Sequence, residues 1–204
     1  MRRIVFSAAF LLILASTFGE TAAQQSSACT LKLSQAPAVR GVKLDMKVDD
    51  FLSLFPGSSE HDFIKSQLAM ADVYPHFGET SFSVIPANYS TRDQFAGVTD
   101  YMVRLFDRRI VGLDVYYESF PRGARWRSAD DLIQRFSDSL RLPGPKEWIP
   151  EPGNSRKRLR CDGFEIVVSS GERAVISFSQ RSWVNTQQER RDAFEEQRRR
   201  DFKP

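Results

Sequence analysis

The chain has 204 residues, 41% of them hydrophobic, and a formal net charge of +3. A charge this close to neutral gives no global drive toward nucleic acid, and no apolar run beyond the first residues approaches the length of a membrane span. The length admits one domain, or two small modules packed together.

Residues 1–23 read as a cleavable export signal. Arg2 and Arg3 give a positive start, residues 4–14 are almost unbroken apolar, and Thr21-Ala22-Ala23 supplies small residues at the cut. The apolar stretch is shorter than the about 20 residues that a stable transmembrane helix needs, so a retained anchor is the weaker alternative. The paired arginines lack the rest of a twin-arginine motif. The mature body would then begin at Gln24, secreted or periplasmic, with no transmembrane segment.

Cys29 and Cys161 are the two cysteines. In an oxidising compartment an even count predicts a disulfide, and their spacing fits no metal or redox motif. A lipid-acceptor role for Cys29 competes, but Ser26 stands where an aliphatic residue is usual.

Residues 30–33 and 39–44 read as short extended pieces. Val48, Phe51, Leu52 and Phe55 then fall on one helical face, with Asp49 and Asp50 in the first turn and a stop at Pro56-Gly57. Ser59-Glu60-His61-Asp62 fits a capping box for a second helix to about Tyr74. Phe82 and Val84 mark a strand. Tyr101, Val103 and Leu105 alternate with Asp100, Met102 and Arg104. Val111, Leu113, Val115 and Tyr117 alternate with Gly112, Asp114 and Tyr116, and a break at Asp107-Arg108 makes the pair a hairpin.

The second half repeats this order. Ser128 with Asp131 caps a helix whose face carries Ala129, Leu132, Ile133, Phe136 and Leu140. Pro143-Gly144-Pro145 ends it, and residues 147–157 read as a loop. Asp162-Gly163 predicts a tight hairpin turn, followed by alternating Phe164, Ile166 and Val168, then Ala174, Ile176 and Phe178. Thr186 with Glu189 predicts the start of a polar C-terminal helix, carrying the i,i+4 pairs Glu195–Arg199 and Glu196–Arg200. The expected fold is α+β: antiparallel sheet with helices packed on one face. The expected organisation is a first module over 24–121, a second over 122–183 and a charged helix over 184–204. The two modules would each be a helix followed by a β-meander.

Arg40-Gly41-Val42-Lys43-Leu44-Asp45-Met46 and the run to Phe55-Pro56 resemble a recurring exported-protein pattern, Leu-Gly-Met-Thr-x-x-x-Val-x-x-x-Phe-Pro. That pattern opens the helix of an α-plus-β-meander module in the superfamily of β-lactamase inhibitor proteins and small outer-membrane assembly lipoproteins. Asp45 stands where Gly is usual, and Lys47 where the capping Thr is usual. The resemblance implies a binding protein without catalysis, and carries over no individual functional residue.

Hydrolase, kinase, dinucleotide and zinc-protease signatures are missing. The carboxylate pairs Asp49-Asp50 and Asp130-Asp131 lie in first helical turns, where helix stabilisation explains them. His61 and His76, near Asp62, Asp72 and Glu79, form the alternative catalytic or metal-dependent reading, but a regular helix would hold the two imidazoles apart. No cofactor is expected. The most suggestive composition is basic and aromatic: Arg122, Arg125, Trp126 and Arg127 before one helix, and Arg156, Lys157 and Arg158 before the Cys161 turn. Guanidinium groups bind carboxylates and phosphates, and tryptophan supplies an anchoring face. The expectation is a site for an acidic protein, a glycan or an anionic lipid headgroup, set against ordinary solvated loops. Asn88-Tyr89-Ser90 is an N-glycosylation acceptor pattern.

Overall fold

The computed structural model describes residues 29–73, 78–118, 128–153, 155–170 and 173–202. Residues 1–23, expected to be an export signal, and Ser26-Ser27-Ala28, His76, Arg122, Arg125, Trp126 and Arg127 lie outside those residues. In chain order the elements are α1 (Val48–Ser53), α2 (Asp62–Val73), β1 (Glu79–Val84), β2 (Val98–Phe106), β3 (Arg109–Tyr117), α3 (Ala129–Leu140), β4 (Ile149–Pro150), β5 (Arg156–Arg160), β6 (Phe164–Ser170), β7 (Ala174–Gln180) and α4 (Ser182–Asp201). The strands form one antiparallel sheet in the order β1-β2-β3-β7-β6-β5-β4. The fold is α+β, and the two helix-then-strands runs meet in a single sheet where β3 pairs with β7.

Strand alternation puts Phe82, Val84, Tyr101, Val103, Leu105, Leu113, Val115, Ile166, Val168, Ile176 and Phe178 on one face, all buried. Helices α1 and α3 cover that face with Val48, Phe51, Leu52, Leu132 and Ile133. Around Phe55 the core is aromatic. Its ring stacks on Phe95 at 4.6 Å and lies 5.3 Å from Phe51, 5.6 Å from Tyr89 and 5.8 Å from Tyr101. Burial raises the Tyr101 phenol well above its ordinary pKa, and its hydroxyl donates to the Val39 carbonyl at 3.4 Å.

Local signals decide the turns. Asp107 and Arg108 both have positive φ (50° and 59°), the geometry of a two-residue hairpin turn. The Ser128 hydroxyl accepts from the Asp131 amide at 3.2 Å, the expected cap of α3. Cys29 and Cys161 are disulfide-bonded.

Four expectations need correction. Residues 30–33 and 39–44 form no strand, although Lys32 is extended and makes an isolated bridge with Asp162. Leu33–Gln35 forms a 3₁₀ turn, and Arg40-Gly41 is a tight turn (φ 51° and 89°) in which Val39 and Val42 bond each other. The cap at Ser59 is absorbed by a 3₁₀ turn over Ser58–Glu60, and Glu60 pairs with Lys65 at 2.7 Å, so α2 opens at Asp62. The loop over 147–157 contains β4 and the start of β5: β4 pairs with β5, β5 pairs with β6, and β5 buries Leu159. The last helix starts at Ser182, four residues before Thr186. Arg181 turns the chain by bonding the Gly163 and Cys161 carbonyls, at 3.1 and 2.6 Å, and the Thr186 hydroxyl bonds back to the Ser182 carbonyl rather than capping.

Lys47 is the N-cap residue of α1, in extended backbone with no side-chain bond to the helix. Threonine in its place offers a hydroxyl acceptor to the first-turn amides. Lys47→Thr should therefore stabilise the protein by about 1 kcal/mol, read as a higher urea midpoint at unchanged slope. An unmoved midpoint would mean those amides are already satisfied.

Candidate binding face

On the face away from α1 and α3 the strands present a different set of side chains. Register places Ser83, Met102, Asp114, Ser177, Val167, Arg158 and Ile149 in one row across all seven strands. Six strand spacings make that row roughly 29 Å long. Rows on either side carry Ser81, Arg104, Gly112 and Ser179, and Asp100, Tyr116, Val175 and Ser169. Helix α4 packs on one end of this face. Trp183 lies against Phe106 with ring centroids 5.9 Å apart, Gln187 donates to Glu79 at 2.7 Å, and Arg190 grips both Asp107 oxygens at 2.7 and 2.6 Å. Beyond that end Met102 and Ile149 are exposed, Val167 is buried, and most of the other side chains of the face are partly exposed.

The outward face is charge-balanced. Gly112 leaves room for Arg104 to lie across β3, since a side chain there would meet Arg104 atoms at 3.0 to 3.1 Å. Arg104 then reaches Glu79 at 3.7 Å. Arg173 bonds the Thr99 hydroxyl at 3.0 Å and sits 4.8 Å over the Tyr116 ring. Beside them Asp100 has a raised pKa because burial disfavours its charge, partly offset by Arg173 and by a hydrogen bond with Ser83. Its Oδ1 is buried and meets no donor among the described residues.

The basic residues expected to bind an anion divide between the two faces, as alternation requires. Arg156 and Arg158 point to the open face, where Arg156 pairs with Glu151 at 3.3 Å and Arg158 pairs with Glu151 and Glu165. Lys157 points the other way and pairs with Asp130 of α3. Arg160 is exposed on the open face of β5. Trp148 is a core plug whose indole donates to the Pro143 carbonyl at 2.9 Å. Trp183 anchors α4.

A cavity of about 390 Å³ lies at the outer edge of β1, lined by His61, Phe63, Ile64, Ser83, Ile85, Asn88 and Tyr89. His61 is exposed there, and no group of three His, Cys, Asp or Glu side chains is placed to hold a metal ion among the described residues. Asn88 is exposed at the cavity, at the end of the 3₁₀ turn Pro86–Asn88.

The outward residues of β2 and β3 are the ones that alternate with the core residues, so the sequence carries their identity. It carries no sign that nothing covers them. No helix among the described residues is long and apolar enough to cross a membrane. Comparison with known proteins gives no matching family model, no matching curated protein and no matching solved structure.

Proposed function

We propose that this is an exported, non-catalytic binding protein of inhibitor-like type, secreted or periplasmic, which holds a protein partner on the open face of its sheet. The carrying observation is that face itself: a broad surface of serine hydroxyls, Met102 and Tyr116 that no helix but α4 packs over among the described residues, with Met102 41% exposed. Tyrosine and serine side by side give amphipathic contact area with adaptable hydrogen bonding. Arg160 is exposed on β5 beside Arg156 and Arg158, whose charges Glu151 and Glu165 already pair, and it favours an acidic group on the partner there. The disulfide supports an oxidising compartment.

Two backbone features support the resemblance to the inhibitor and assembly-lipoprotein superfamily. Asp45, where that pattern has glycine, sits at φ 62°, the left-handed conformation glycine adopts freely. Lys47, where the pattern has a capping threonine, is the N-cap residue of α1. Asp45 thus keeps the backbone conformation of the usual glycine, while Lys47 keeps the N-cap position without the capping hydroxyl.

The test starts from a partner captured on the mature protein from its native extracytoplasmic fraction, identified and purified. Met102→Glu combined with Tyr116→Ala should weaken its affinity by about 100-fold, an effect of interface hot-spot size, while His61→Ala leaves it unchanged. Unchanged affinity in the first variant would overturn the reading. Loss in the histidine variant would move the site to the β1 edge.

A further inference from the structure

The two ends of the sheet differ in how they meet solvent. At one end β4 is two residues long and closes on Pro150, flanked by Glu147 and Glu151, which blunts that edge against further pairing. At the other end β1 runs six residues without Pro or Lys and without a register shift against β2. The described residues make no backbone hydrogen bond to its outer side. That side is a row of amides and carbonyls that an extended chain completes.

Helix α2 borders the same edge with an unusual surface. Ile64 and Leu68 face the core, yet Phe63 is 52% exposed and Met70 is 55% exposed. Phe63, Gln67 and Met70 are four and then three residues apart, so they form one stripe. That stripe faces the β1 edge, because Gln67 accepts from the Thr80 hydroxyl at 3.1 Å and Phe63 shares the edge cavity with Ser83 and Ile85. The cavity holds both Ser83, an open-face residue, and Ile64, a core-side residue, and only a position at the strand edge sees both. Ile85 adds a further 45% exposed side chain. A helix facing solvent alone has no use for this second apolar stripe.

We infer that the β1 edge and the Phe63–Met70 stripe of α2 form a two-fold interface with a second copy of this chain, extending the sheet across both molecules. An unpaired antiparallel edge is self-complementary under a two-fold axis. Glu79, the one charged residue of β1, lies at the strand's end, so antiparallel pairing holds the two copies of it apart. The helices then run antiparallel on the same side of the joined sheet, with Phe63 of each facing Met70 of the other. The inference does not rest on the binding face proposed above, which stays open in the dimer.

Sedimentation velocity of the oxidised mature protein tests it, run from about 1 µM to about 1 mM, the range in which a modest interface reveals itself. The expected result is a reversible monomer–dimer equilibrium. Phe63→Glu and Met70→Glu, both at exposed positions, should each weaken it by at least about tenfold, or about 1.4 kcal/mol, with the monomer's unfolding curve preserved. Val184→Glu, at an exposed apolar position on α4 outside the interface, should leave it unchanged. Hydrogen exchange should show β1 amides slowing as the dimer forms. A monomer at every concentration overturns the inference, and so does a dimer indifferent to both α2 variants. A monomer whose β1 amides are protected by an extended peptide instead would give the edge a different occupant and equally overturn it.

Discussion

Reduction of the Cys29–Cys161 bridge should cost the fold about 5 kcal/mol, the chain-entropy value for so long a closed loop. The two cysteines are separated by 132 positions and both are buried. The bridge pins the first described residues against the turn between β5 and β6. There the Asp162 amide donates to the Leu31 carbonyl at 3.0 Å, and Lys32 forms an isolated bridge with Asp162. A loss of this size is a large fraction of the 5 to 15 kcal/mol typical of a domain. Urea unfolding of the mature protein, with and without reductant, measures it. The double variant Cys29→Ser, Cys161→Ser checks that reductant acts through this bond. A loss below about 1 kcal/mol, the scale of single hydrogen bonds, would show that local packing holds the segment unaided.

The second large effect is expected at Phe55. Phe55→Ala should destabilise the protein by about 4 kcal/mol, within the range for a buried phenylalanine. Its ring is fully buried and touches Phe51, Tyr89, Phe95 and Tyr101, side chains from α1, the 86–95 turns and β2. Truncation removes apolar burial and leaves a hole lined by rings that cannot all collapse into it. Phe55→Leu keeps most of the volume and should cost less than half as much. The urea midpoint, at constant slope, reads both. Equal, small losses in the two variants would mean that the aromatic cluster repacks freely.

Much of this architecture is legible in the chain because its signals are local. Alternation at Tyr101, Val103 and Leu105 marks the inner face of β2, Asp107-Arg108 marks a hairpin, and Ser128 with Asp131 marks the start of α3. The two cysteines announce their bond by number. What the sequence hides is non-local. The pairing of β3 with β7 has no neighbouring signal, so one sheet and two sheets read alike. The start of α4 depends on Arg181 reaching carbonyls of a different hairpin, which overrides the apparent cap at Thr186. The candidate site follows the same rule. Alternation names the outward residues Asp100, Met102, Arg104, Asp114 and Tyr116, but only the fold shows that they lie in one surface across neighbouring strands. The basic run at 156–158 reads as one cluster in sequence, and the strand parity of β5 splits it between opposite faces.

The last strand of the chain is the middle strand of the sheet: β7 lies fourth of seven, between β3 and β6. A polypeptide emerging amino end first can assemble β1, β2 and β3 early, but the flank of β3 stays unsatisfied until β7 arrives. This makes completion of the sheet a late event, governed by release of the carboxyl end. A chain shortened before Ala174 would lose more than a terminal element, because the two halves would have no strand between them and each would present a sticky border to its neighbours.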